Sequence, residues 1–412
     1  MSSTQAMRKN VLFILLIGFI VVFLSSSIKN TFQVFFIQMS DSFGQSRGEF
    51  AVAAAVFMLV FGIASPIVGL ISDRIGPKRT ILGGLLISGL AFVGCGLIDS
   101  FVAFVILYGV FAAFGLTAMS YVPMGILVDQ SFSEKRKGLA YGTLTNGAAI
   151  GFMVLSPVWV YTQNYFAWNQ VFLFLGLIFL LPLFVLVWRY LPNDPDKIVQ
   201  VNDKLPKVSF KEKLTLVFST RPFYALMLGF MGCGVTMAFI DIHMVAYFQD
   251  LQLSEAQISI SLSLLGATEL IGGFLAGWMC DRWSKRYVIA GNYFLRALSL
   301  LVLYLMPNVT GALLFAALFG LSYLGTVVGT SMYTLSLFGK QFKAFAFGII
   351  WLVHQIGAFL STQLGANAFD WFGSYEVTIM VTGIVALASC IISIVLLPTE
   401  PAPIEIPAQQ TA

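Results

Sequence analysis

Gly69-Leu70-Ile71-Ser72-Asp73-Arg74-Ile75-Gly76-Pro77-Lys78-Arg79 returns 208 residues later as Gly277-Trp278-Met279-Cys280-Asp281-Arg282-Trp283-Ser284-Lys285-Arg286. Each copy follows a long apolar run. The first Gly, the Asp and the Arg keep the same offset, and the closing basic pair falls one residue earlier in the second copy. A repeat at half-chain spacing implies two homologous membrane halves, an arrangement on which many secondary transporters are built.

Working outward, the flanking chain is far too apolar for a soluble domain. Of the 412 residues, 58% are hydrophobic, 15% aromatic and only 10% charged, with a mean hydropathy of +0.89; soluble domains carry roughly 25% charged residues. Twelve apolar stretches, at 11–38, 50–72, 80–98, 101–128, 138–162, 168–191, 222–249, 257–280, 287–306, 310–338, 344–365 and 375–398, each approach the roughly 20 residues that cross a hydrocarbon core as a helix. They are continuously apolar, without the alternation of a membrane barrel strand, so helices are the spanning element. The predicted fold is an all-α membrane protein with 12 transmembrane helices in two pseudo-symmetric six-helix bundles.

The predicted divisions are an N-terminal bundle over 1–191, a polar, proline-containing cytoplasmic linker over 192–219, a C-terminal bundle over 220–398 and a disordered cytoplasmic tail over 399–412. With the N-terminus placed in the cytoplasm, all but three of the 23 lysines and arginines fall on the inside. Arg47 lies outside, and Lys29 and Arg296 lie within spans. This asymmetry predicts a multi-pass protein of the cytoplasmic (inner) membrane with both termini inside. The net charge of +4 then follows from topology and calls for no nucleic-acid partner. The first apolar run lacks a small-residue cleavage site, so it is expected to be a retained span.

The repeated loops carry a mechanical reading. Gly69 and Gly277 would let a neighbouring helix come close. Asp73 and Asp281 could face that neighbour's N-terminus, which carries about half a positive charge, and so latch a gate. Arg74 and Arg282 could add ion pairs or anchor to headgroups. These loops resemble motif A of the major facilitator superfamily, present here in both halves.

Further stretches narrow the resemblance. Ser46-Arg47-Gly48-Glu49-Phe50 before a helix with Gly62 and Pro66-Ile67-Val68-Gly69, Phe239-Ile240-Asp241-Ile242-His243 in the seventh helix, and His354-Gln355-Ile356-Gly357 followed by Phe369-Asp370-Trp371-Phe372-Gly373-Ser374-Tyr375 are similar to the bacterial monocarboxylate and oxalate/formate transporter branch. The resemblance implies alternating-access transport of a small solute through a midplane cavity, lined chiefly by helices one and seven. The chain departs from animal-type monocarboxylate transporters in its eighth helix, where Glu269 stands without the expected Asp and Arg four residues apart. Its buried arginine, Arg296, is in the ninth helix instead. The fifth helix, with Gly142, Gly147, Gly151 and Pro157, lacks the adjacent Gly-Pro pair of drug/proton antiporters.

Ionisable groups inside spans mark the transport path, because a charge at the bilayer centre costs at least about 2.5 to 3.5 kcal/mol. Substrate contact is expected from Lys29, Asn30, Gln33, Tyr121, Asn146, Tyr333, His354 and Gln355. Proton coupling is expected from Asp241, His243 and Glu269. The 208-residue offset carries Gln33 onto Asp241, so the two occupy equivalent places in the halves.

Two histidines, no Walker loop and four scattered cysteines without metal-ligand spacing argue against an enzyme, an ATP-driven pump or a resident cofactor. The expectation is a monomeric, proton-coupled carrier of a small organic anion or zwitterion. An importer or exporter of a larger amphiphile, a proton-independent anion exchanger and a transporter-like sensor are the alternatives.

Overall fold

The computed structural model describes residues 3–132, 134–192 and 210–401. The expected linker and tail therefore lie largely outside the described residues, and so do the side chains of Lys29 and Tyr121. Among the described residues twelve helices are long and apolar enough to cross a membrane: α1 (Leu12–Ser42), α2 (Arg47–Ile75), α3 (Pro77–Leu97), α4 (Phe101–Val128), α5 (Ala140–Thr162), α6 (Trp168–Tyr190), α7 (Arg221–Asp250), α8 (Glu255–Arg282), α9 (Lys285–Leu305), α10 (Val309–Gly339), α11 (Phe345–Phe372) and α12 (Glu376–Leu396). The protein is a multi-pass, all-α membrane protein.

The repeat seen in the loops extends to helix starts. Ser46 accepts from the Glu49 N–H at 3.2 Å while Glu49 accepts from the Ser46 N–H at 3.0 Å. Ser254 and Gln257, 208 residues on, build the same reciprocal cap at 3.4 and 2.8 Å. Each box satisfies two otherwise orphaned donors and sets where α2 and α8 begin. Helix α11 runs seven residues beyond its expected end, to Phe372. Gln363, Asn367 and Asp370, which end the apolar run in sequence, are accommodated here because Gln363 and Asp370 bond to Gly48 at the start of α2 and Asn367 accepts from Gln363.

Within the first half α1 packs on α5, α3 on α6, and α2 and α3 on α4. In the second, α7 and α8 pack on the α10–α11 pair and α9 lies against α10 and α12. The halves meet through α2 with α11, α5 with α8, and α1 with α7. Close approach at α7–α11 depends on Gly234, where a Cβ would overlap the carbonyl of His354. Small residues at such crossings supply the packing contacts that hold helices together in lipid. Large apolar side chains such as Phe274, Leu181 and Ile384 are exposed, as hydrocarbon-facing groups should be.

Three spans depart from regular α-geometry. Helix α4 carries a π segment over Val105–Ala112 and is interrupted by a turn at 118–120, and α6 carries a π segment over Phe179–Leu183. In α7 the π segment Phe239–His243 holds both Asp241 and His243. A π turn widens the helix by one residue and frequently marks a functional site.

Candidate functional site

The polar residues of α1 and α7 come together where the halves meet. Helix α1 packs directly on the π segment of α7. On α1, Asn30 and Gln33 are three positions apart and so share a face. Both are buried, and among the described residues neither the Nδ2 of Asn30 nor the Nε2 and Oε1 of Gln33 has a hydrogen-bond partner. A buried amide left unpaired costs about 1–3 kcal/mol. Such a concentration on one face is the signature of a site completed by water or solute.

On the π segment of α7, Asp241 is buried and accepts from the Tyr323 phenol of α10 at 3.1 Å. Tyr323 also lies within electrostatic reach of Glu269 on α8, and Tyr108 on α4 within reach of Asp241. Glu269 is itself buried. Two carboxylates from different helices thus lie near one phenol, which is hydrogen-bonded to Asp241.

Arg296 is fully buried and its donors are occupied. Its guanidinium donates to Thr236 Oγ1 at 2.9 Å, Thr326 Oγ1 at 3.1 Å, the Ser322 and Tyr323 carbonyls at 2.9 and 3.1 Å, and Cys233 Sγ at 3.2 Å. It ties α9 to α7 and α10. A guanidinium with its fork filled by fixed acceptors is a structural cation.

At one end of the molecule the halves are bolted together. Arg47, at the start of α2, forms a bidentate pair with Asp250, at the end of α7, at 2.5 and 2.7 Å, and lies 3.7 Å above the Phe369 ring. Asp370 accepts from the Gly48 N–H at 2.8 Å and Gln363 donates to the Gly48 carbonyl at 2.7 Å. A Cβ at position 48 would collide with the Asp370 carboxylate, so the glycine admits this contact. Asn164 donates to Glu255 at 2.7 Å. Beneath these bonds Phe32, Phe36, Phe50 and Tyr108 stack into an apolar plug, with Phe32 and Tyr108 centroids 4.8 Å apart.

The described bonds between halves all lie at this end or midway along the helices, where Ser263 donates to the Met153 carbonyl at 3.0 Å and Gln355 to the Met58 carbonyl at 3.4 Å. At the opposite end Asp73, Arg74, Asp281 and Arg282 are exposed, and neither Asp forms an ion pair among the described residues. The expected close approach at the loop glycines is absent in this conformation. A Cβ at Gly69 would make only ordinary contact with Val122, and one at Gly277 would meet open space. Arg282 stacks over Trp278 at 4.4 Å.

The basic residues of these loops do have a defined task. Lys78 Nζ donates to the Leu191 carbonyl at 2.8 Å, and Arg286, its equivalent 208 residues on, donates to the Leu397 carbonyl at 3.0 Å. Each caps the end of its half's last helix, where unpaired carbonyls and the negative end of the helix dipole favour a cation. Aligning Lys78 with Arg286, rather than basic pair with basic pair, would have revealed this in the sequence.

Two bundles with bonds at one end, matched loops at the other and a polar midplane between them correspond to one fold. A family model described as Major Facilitator Superfamily matches residues 15–362 and 226–412. The chain belongs to the major facilitator superfamily. Among curated relatives of this major facilitator protein, an uncharacterized MFS-type transporter of Bacillus subtilis, YcxA, is 28% identical, the match covering 93% of this chain and 94% of that one. Monocarboxylate transporter 12 of Mus musculus is 23% identical over 91% of this chain and 82% of the relative. A solved bacterial homolog of the human lysosomal transporter Spinster, in an inward-facing and unoccupied conformation, shares the fold with a TM-score of 0.79 at 14% identity, covering 96% and 99% of the two chains. The protein is a transporter of this superfamily and not an enzyme.

Within the major facilitator frame several expected site residues are placed differently. Tyr333 is not at the midplane: its phenol donates to the Pro398 carbonyl, fastening α10 to the end of α12. His243 and Asp241 turn to different partners. The π turn sends Asp241 to α10, while His243 Nε2 meets the Thr362 carbonyl of α11 at 3.0 Å, beneath Tyr375 and Phe36. His354 is packed between Phe230 and Trp351, with ring centroids 4.8 and 4.9 Å away, and Gln355 bridges to α2. Asn146 is half-buried on α5. Tyr323 and Tyr108 were not distinguishable in sequence from the other aromatics of apolar helices. An open, mostly apolar groove of about 470 Å³ between α5 and α8, lined by Met153, Tyr161, Ile260 and Leu264 among others, contains no acidic or basic group and is not the polar site.

Proposed function

We propose that this protein is a proton-coupled carrier of a small organic anion or zwitterionic metabolite, working by alternating access. The observation that carries the reading is the pair of buried amides, Asn30 and Gln33, without a partner among the described residues, on the helix that packs against the π segment holding Asp241. Unsatisfied donors and acceptors in a largely apolar surround are how a site orients a small polar solute. Lys29, next in sequence to Asn30, supplies the positive charge that a carboxylate needs. The similarity to proteins named monocarboxylate transporters favours the same solute class.

Asp241 and Glu269 are the proton carriers in this proposal, both close to Tyr323. A carboxyl that exchanges a proton as its surroundings open and close couples solute movement to the proton gradient. The lysine and arginine asymmetry assigns the Asp73 end to the cytoplasm of an inner membrane, with both termini inside. The conformation described above is then inward-facing, sealed outside by Arg47–Asp250. In the alternate state Asp73 and Asp281 would close the inner end. The carrier functions as a monomer.

Proteoliposome uptake tests this. Wild type should accumulate a labelled monocarboxylate against its gradient when the outside is acidic, and Gln33→Ala should raise the half-saturating concentration at least tenfold. Uptake unaffected by collapsing the pH gradient would instead indicate anion exchange.

A further inference from the structure

We infer that Cys233, Met237 and His354 form a binding site for a soft monovalent metal ion of the Cu(I)/Ag(I) class. The site belongs to the α7–α11 crossing and stands independently of the solute carried. Cys233 and Met237 are four residues apart on α7 and share a face. Their sulfurs are 3.5 Å apart. His354 enters from α11 with Nε2 at 3.4 Å from Met237 Sδ, and it contacts the Cys233 thiol as well. The approach is possible because Gly234 leaves room for the His354 backbone.

The hydrogen bonds around His354 decide which nitrogen is free. Gln355 donates through Nε2 to the Met58 carbonyl, so its Oε1 faces His354 Nδ1, at 2.9 Å. Nδ1 therefore carries the ring hydrogen and Nε2 presents a lone pair. That lone pair points at a thioether, which has no hydrogen to give. Imidazole nitrogen, thioether and thiol thus converge with only one exchangeable hydrogen among them. A ring N–H held by a carbonyl oxygen while the other nitrogen faces a ligand position is the usual second shell of a metal-bound histidine.

Geometry and donor type select the ion. With metal–sulfur bonds of about 2.3 Å and metal–nitrogen bonds of about 2.0 Å, donors around one ion stand about 3.5–4.0 Å apart. The distances of 3.4 and 3.5 Å lie just below and at the lower bound of that range and require only a small spreading of side chains. Thiolate, thioether and imidazole favour Cu(I) over hard divalent ions. Among the described residues no group of three His, Cys, Asp or Glu side chains is gathered for a hard ion. Binding displaces the thiol proton. Arg296, donating to Cys233 Sγ at 3.2 Å, is placed to hold the sulfur's charge. All three ligands are at least nine-tenths buried, which keeps water from a bound ion.

The test is an anaerobic Cu(I) titration of the full chain in lipid nanodiscs against bicinchoninate. One equivalent should be withheld from the chelator, with X-ray absorption reporting sulfur neighbours at about 2.3 Å. Cys233→Ser, Met237→Leu and His354→Gln should each weaken retention at least tenfold. A Cys95→Ser/Cys280→Ser/Cys390→Ser triple variant should keep the full equivalent. Met237→Leu preserves volume and removes only the thioether, so it reads out binding even where the cysteine variant folds poorly. Failure of wild type to retain Cu(I), equal retention by Met237→Leu, or loss in the triple variant overturns the assignment.

Discussion

Glu269 and Asp241 are worth separating, because both are buried near one phenol and only one need carry the transported proton. Neutralising the coupling carboxyl should abolish uphill accumulation while leaving solute exchange within about twofold of wild type, since exchange needs no net proton movement. Glu269→Gln and Asp241→Asn, compared in counterflow and in pH-driven uptake, identify which one it is; if both variants still accumulate solute uphill, neither carboxyl couples. Arg296 makes the contrasting prediction. Arg296→Met strands several acceptors on α7 and α10, at about 1–3 kcal/mol each, so the loss should appear as a lowered melting temperature of the purified protein. A stable Arg296→Met variant with lost solute binding would move the residue from scaffold to site.

At the scale of elements, the bolts between α2, α7 and α11 hold one end shut. Arg47 and Asp250 remain partly exposed, with 14% and 32% of their side-chain surface accessible, so their pair contributes about 1 kcal/mol or less. Asp250→Asn should therefore shift the conformational equilibrium about fivefold toward the opposite state. Alkylation of a cysteine placed beneath the plug measures that shift. An Arg47→Asp/Asp250→Arg exchange should restore the original balance. Gly234 belongs to the same scale. Gly234→Val would drive α7 off α11, and it should reduce the yield of folded protein far more than Gly277→Val, whose position faces open space.

For the whole molecule, the loops at the Asp73 end should matter only in the state where that end closes. Asp73→Asn combined with Asp281→Asn should cut turnover several-fold while solute affinity, read by thermal shift, stays within about twofold. An unchanged transport rate would mean that the loops serve topology alone. The offset of 208 residues organises this scale: it relates loops, capping boxes and the Lys78 and Arg286 clamps, yet replaces Gln33 by Asp241 and Arg47 by Glu255. The halves have kept their scaffold and diverged in the groups that face one another.

Much of the molecule was legible without coordinates. Helix number and approximate ends follow from continuous apolar runs, since a hydrocarbon core leaves backbone groups no partner except their own helix, and the duplication is visible because charged loops stand out against apolar sequence. The site was legible only in part. Asn30, Gln33, Asp241 and Glu269 betray themselves as polar residues in apolar surroundings. Whether each is satisfied depends on neighbours far away in the chain: Tyr323 for Asp241, Thr362 for His243, Pro398 for Tyr333. Tertiary structure alone decided which buried polar groups are filled and which stay open. It also decided which end is shut, because both conformations share one sequence and differ only in which contacts between the halves are made.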